Sequence, residues 1–157
     1  IEVGLIFDGV RAEVLSQQRQ IDHLRNEILE MRRKVHAGHP NASGEFDLKH
    51  DAGGMVDIEF IVQFLVLAYS HQHPQLIGNL GNIALLRIAG ELGLIQSSEA
   101  QLVGHAYRLL RALQHRLRLD GAEKTRMLIG KHLEMMAARD AVLALWLKIF
   151  LAPSNPE

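Results

Sequence analysis

The sequence predicts an all-α fold, a bundle of five or six helices with an irregular insertion at about 37–55. Three observations predict it. Apolar residues recur at threes and fours in several separate segments, which is the spacing of a helix face. The one alternating stretch, at 46–51, is short, and a single strand has no partner with which to build a sheet. Glycine, proline and serine punctuate the chain where the periodic segments stop.

The first helix is predicted from about Phe7 to Val35, with Leu15, Ile21, Leu24, Ile28, Met31 and Val35 along its apolar stripe. Arg32, Arg33 and Lys34 collect near its end, where the helix dipole favours cations. "HAGHPNASG" breaks the pattern through Gly38, Pro40 and Gly44. Phe46 and Leu48 then alternate with Asp47, Lys49 and Asp51, the signature of a short extended segment with one wet face. Gly53-Gly54 ends it. Val56 to about His71 follows as a helix that is apolar almost all round, as a central helix is. "GNLGN" leads into a third helix, roughly Ile83 to Leu92, with Gly93 as its C-cap. Ser97 or Ser98 is the expected cap of a fourth helix from about Glu99 to Leu119. One short helix and a last one, from about Leu133 to Phe150, complete the pattern.

The length of 157 residues suits one domain, and 48% hydrophobic residues allow a sizeable core. A net charge of −1 gives no support for general attraction to nucleic acid or to a membrane surface. No apolar run approaches the roughly 20 residues that cross a bilayer. The chain has no cysteine, so thiolate metal sites and disulfides are excluded. It starts at Ile1 rather than Met and shows no signal peptide. The expectation is a single helical-bundle domain, 1–157, cut from a longer cytoplasmic protein.

Chemistry concentrates in "FDLKHDAGGMVDIEF". Asp57 and Glu59 are two residues apart, about 200° on a helix, so they leave on different faces and form no paired-carboxylate site. Asp57 sits in a first turn, where a carboxylate caps backbone N–H groups or serves a site. Glu59, on an otherwise buried helix, needs a cationic partner. Arg111, His115 and Arg118 form one stripe of the fourth helix, read either as a solvated basic face or as the source of that partner, with Arg111 turned inward to Glu59. Lys49 can reach a phosphate as a point charge, and Gly53-Gly54 lets backbone approach a ligand or adopt positive φ.

"FDLKHDAGGMVDIEFIVQFLVL" resembles the signature of the helical domains of the glutamine synthetase adenylyltransferases, in which an FD-L/I-K segment runs through GG-I to D/E-IEF and a following Gln. Phe46, Asp47, Leu48, Lys49, Gly53, Gly54, Asp57, Ile58, Glu59, Phe60 and Gln63 stand in those places. "LRNEILEMRRKV", "NIALLRIAGELGLI", "AYRLLRALQHRL" and "ARDAVLALWLKIF" look like other helices of the same family. The resemblance implies an enzyme with two similar halves, each a nucleotidyltransferase domain followed by a helical bundle. One half removes AMP from glutamine synthetase and the other attaches AMP from ATP to a tyrosine. Asp57, where the removing half usually has Glu, resembles the attaching, C-terminal half.

The family's catalytic domain carries a Gly-Ser followed by a magnesium-binding Asp-x-Asp, and neither stands here. The resemblance therefore implies a fragment with no catalytic and no metal-ligating residue, inactive alone, that walls a cleft completed by its own nucleotidyltransferase domain. Lys49, Gly53 and Gly54 would face the phosphates of ATP. Asp57 would fix the turn or reach magnesium through water. Glu59 would lock the helix that carries it, with Arg111 the partner already read from the fourth helix. Glutamine synthetase and a PII-type signalling protein are the implied partners, rather than nucleic acid or a membrane. Two alternatives stay open: an interaction module that docks those partners without touching nucleotide, and the related helical domain of the PII uridylyltransferase.

Overall fold

The computed structural model describes residues 2–78 and 80–151, with side chains from residue 19 onward. Five α-helices are present among them: α1 (Glu2–Gly38), α2 (Met55–Tyr69), α3 (Asn82–Glu91), α4 (Ser97–Leu119) and α5 (Leu133–Trp146), the last running on as a π-turn at Leu147–Leu151. The all-α bundle is as predicted. The Leu15 side chain, counted in the predicted stripe, lies outside the described side chains.

Segment 46–51 does have a partner. Phe46–Asp47 (β1) pairs antiparallel with Arg126–Met127 (β2), setting Phe46 opposite Met127 and Asp47 opposite Arg126. Two paired residues are too few to leave a period in a sequence, so β2 was not legible. Phe46 and Leu48 are buried as expected, but the expected wet face is corrected at Asp47, which is buried too, while Lys49 and Asp51 are half-buried. The helix ends follow local chemistry. Gly93 takes φ +76°, and Leu94 N–H closes α3 by donating to Ala89 O at 3.0 Å. The cap of α4 is Gln96, not Ser97 or Ser98, and its N–H donates to the Glu99 carboxylate at 2.8 Å.

The core lies where α2, α4 and α5 meet. Ile58, Ile61, Val62, Phe64 and Leu65 of α2 pack with Val103, Leu110, Val142, Leu145 and Trp146 in one buried cluster. Phe150 closes it, its ring centre 4.2 Å from Trp146 and 5.2 Å from Phe64. α2 is not buried all round: Glu59, Gln63 and Leu67, four apart, form an exposed stripe.

α1 docks on this core through a stripe of mixed chemistry. Ile21, Leu24 and Ile28 pack on the cluster, while Arg25 and Arg32 reach inward beside them. Arg25 Nε donates to Ile149 O at 2.9 Å, and its guanidinium stands 5.4 Å from the Phe64 ring centre. Arg32 is therefore no helix-end cation. It makes a bidentate pair with Asp57, Nε to Oδ1 at 2.9 Å and Nη2 to Oδ2 at 2.5 Å. Its guanidinium carbon lies 3.9 Å from the Trp146 ring centre. Asp57 is 1% exposed and also accepts the Gly53 N–H at 2.8 Å. One carboxylate thus joins α1, the glycine turn and α2 beneath an α5 indole, with charge, planar fork and ring face all matched.

The expected pair of Glu59 with Arg111 does not form. Glu59 is exposed and meets the Tyr107 hydroxyl at 3.5 Å, while Arg111 is exposed with its guanidinium 5.7 Å from the Tyr107 ring centre. The reason is the 200° between Asp57 and Glu59: only one can face the core, and the inward place opposite Arg32 goes to Asp57.

Two measurements test this assignment. Asp57→Ala and Arg32→Ala should each destabilise the protein by about 3–5 kcal/mol in chemical denaturation, because each strands a buried charge. An unchanged midpoint in either would contradict the pairing. Glu59→Ala should move stability by no more than about 0.5 kcal/mol, as for an exposed site. A loss of several kcal/mol there would return Glu59 to the interior.

Candidate functional site

The resemblance grouped Lys49, Gly53, Gly54 and Asp57 as one wall. The structure holds them in one turn, with the Val56 N–H donating to Lys49 O at 3.0 Å and the Gly53 N–H to Asp57 at 2.8 Å, but gives them different surroundings. Asp57 has both oxygens engaged by Arg32 and the Gly53 N–H inside the bundle, which removes it as a cleft residue. Gly53 is buried at φ +86°, and a Cβ there would stand 2.5 Å from Arg139 Cγ. A Cβ on Gly54 would stand 2.7 Å from Leu48 O and 2.9 Å from Asp51 O. Both glycines are needed by the packing of their own turn, with α5 and the preceding carbonyls filling the space a ligand would take. The glycine-to-aspartate part of the signature is a folding device.

Lys49 is different. It is half-buried on the turn after β1, and its position is set from below by Asp47. The Asp47 carboxylate accepts the Lys49 and His50 N–H groups, both at 3.0 Å, which folds residues 47–50 into a tight loop. Asp51 braces the loop from the other side, accepting the Asp47 N–H at 2.9 Å and the Asn41 amide at 2.8 Å. The His50 ring sits 3.4 Å from Asp47 Oδ2 and stacks on His39 with ring centres 3.7 Å apart. Burial pushes the Asp47 carboxyl up, but the His50 and Lys49 N–H groups and the His50 ring outweigh it and hold the carboxyl below its usual range.

Around Lys49 is a cavity of about 320 Å³. Arg118 from the end of α4, Lys124 from the following loop and Arg126 from β2 line it with Lys49 and His50. The pairing of β1 with β2 is what carries the 124–126 segment to Lys49, a contact invisible without knowledge of that pairing. A second groove, about 470 Å³, runs along α4 over Arg108, Arg111, His115 and Arg118. Arg118 belongs to both, so the basic stripe read on the fourth helix is a solvated face that continues into the Lys49 cavity. Among the described residues no group of three or more His, Asp or Glu side chains is placed to hold a metal ion, and no helix is long and apolar enough to cross a membrane.

The chain is similar to known proteins along most of its length. A family model described as GlnD PII-uridylyltransferase matches residues 11–141. A bifunctional glutamine synthetase adenylyltransferase/adenylyl-removing enzyme of Burkholderia mallei is 53% identical over 148 residues, covering 94% of this chain and 16% of that protein. Proteins of the same name from Aromatoleum aromaticum and Neisseria meningitidis are 53% and 43% identical, covering 94% and 95% of this chain and 15% and 16% of their own length. The chain thus spans about one sixth of the length of the curated relatives it matches. It belongs to the GlnD PII-uridylyltransferase family of helical domains, in the form that glutamine synthetase adenylyltransferases carry.

Proposed function

We propose that this chain is the helical domain of the adenylylating half of a glutamine synthetase adenylyltransferase, and that its Lys49 face walls the cleft in which AMP passes from ATP to a tyrosine of glutamine synthetase. The observation that carries the reading is the placement of Lys49: a half-buried lysine on a braced loop, at a cavity with three further cations. Such a lysine offers a positioned point charge to a phosphate. The Asp in Val56-Asp57-Ile58-Glu59-Phe60 supports the adenylylating half.

The division of labour follows from the side chains present. Nucleotidyl transfer depends on positioning and on neutralising phosphate charge. This chain supplies cations and a rigid wall. Its acids do not fit a magnesium site, since Asp57 and Asp47 are both consumed by internal donors. Any magnesium and the attack on ATP therefore belong to the neighbouring nucleotidyltransferase domain of the whole enzyme. The reading brings with it a cytoplasmic enzyme under the control of a PII-type signalling protein.

A second reading has its own observation. From Ala100 to Leu119, α4 carries Arg108, Arg111, Arg116 and Arg118 and no acid, and none of the four is ion-paired among the described residues. This face suits docking against an acidic surface of glutamine synthetase or of the signalling protein. Calorimetric titration of these partners, with and without ATP, separates docking from nucleotide binding.

In the full-length enzyme, Lys49→Ala should lower kcat/KM for ATP by about 10- to 100-fold, the equivalent of losing about 1.5–3 kcal/mol from a charged hydrogen bond. Melting should be unaffected, and Lys49→Arg should restore part of the rate. Unchanged turnover in Lys49→Ala would remove the residue from the cleft.

A further inference from the structure

The cations around Lys49 come from four separate segments: the turn after β1, the end of α4, the loop beyond it and β2. Convergence of this kind is not a helix stripe, and sequence spacing alone does not produce it. Two acids, Asp47 and Glu123, share the cavity. Asp47 is already occupied by the Lys49 and His50 N–H groups and faces Arg126, whose Nε stands 3.7 Å from Oδ2. Among the described residues no carboxylate lies within ion-pairing distance of Lys49, Arg118 or Lys124. Glu123 is exposed and is the one acid left to oppose them.

Arg126 is fixed at the edge of this cavity. Its Nη2 donates to Pro40 O at 3.4 Å, and its buried Nε faces Asp47 Oδ2 at 3.7 Å.

We propose that this cavity is a binding site for a polyphosphate anion, held by Lys49, Arg118, Lys124 and Arg126. Convergent Lys and Arg side chains in a concave, partly dehydrated setting favour a compact multivalent anion over a single carboxylate. Arg118 also lines the α4 groove, so the basic surface continues from this cavity toward Arg111 and Arg108. The proposal rests on the phosphate-facing reading of Lys49 and deepens it by giving Arg118, Lys124 and Arg126 a direct part in holding the anion. A nucleoside triphosphate and a free inorganic polyphosphate present the same chemistry to the site.

The test uses the full-length enzyme and calorimetric titration with tripolyphosphate, ATP and AMP. Arg118 and Lys124 are exposed, so Arg118→Ala/Lys124→Ala should fold normally. It should weaken tripolyphosphate binding at one site at least 10-fold and leave AMP binding unchanged. Glu123→Gln should tighten the same site, a gain that no misfolded variant would show. A parallel loss with ATP identifies the nucleotide as the source of the phosphates; a loss with tripolyphosphate alone identifies the free anion. Tripolyphosphate and ATP titrations that superimpose on wild type in the double variant would overturn the proposal, even if Lys49→Ala slows AMP transfer. Conversely, loss of polyphosphate binding in the double variant, with AMP transfer unaffected by Lys49→Ala, would uphold this site and end the transfer role of Lys49.

Discussion

The bundle depends on one buried ion pair. Asp57 begins α2, Arg32 arrives from α1, and Trp146 of α5 covers the guanidinium. Isolated buried charges are costly, and a buried pair is tolerated only when its geometry and remaining hydrogen bonds are good. Here the fork is bidentate, the Gly53 N–H takes a further lone pair, and the indole face meets the cation. The pair ties α1, α2 and α5 together at one point.

This explains why the densest motif of the sequence is only partly functional. Gly53, Gly54 and Asp57 cluster because one tight turn requires them: a left-handed glycine, a glycine pressed on two carbonyls, and a carboxylate that reaches back to the turn. Lys49 shares the motif but not the role. The motif builds a scaffold and holds one lysine at its edge, together with cations drawn from distant segments.

The helices were legible in the sequence because a 3.6-residue period is a local property, and α2, α3, α4 and α5 match it within a few residues at their ends. The faces were less legible. "DIEF" offers two acids and one inward place, and nothing within the motif says that the cation opposite belongs to Arg32 rather than Arg111. Arg32 itself looked like one of three helix-end cations. The β1–β2 pair was hidden for a related reason, since its partners are about eighty residues apart and only two residues deep. Of the candidate site, Lys49 could be picked out from the motif, but Lys124 and Arg126 become its neighbours only once that pair has formed.

The contact between Arg25 and the Ile149 carbonyl spans 124 positions. On a ribosome, the first helix would therefore emerge long before the segment it must clasp. Asp57 would wait likewise, with its counter-ion unroofed until Trp146 leaves the exit tunnel. Topology makes the clasp of α1 on this bundle a late event, while the loop bearing Lys49 is braced by neighbours two to ten positions away and can form well before it.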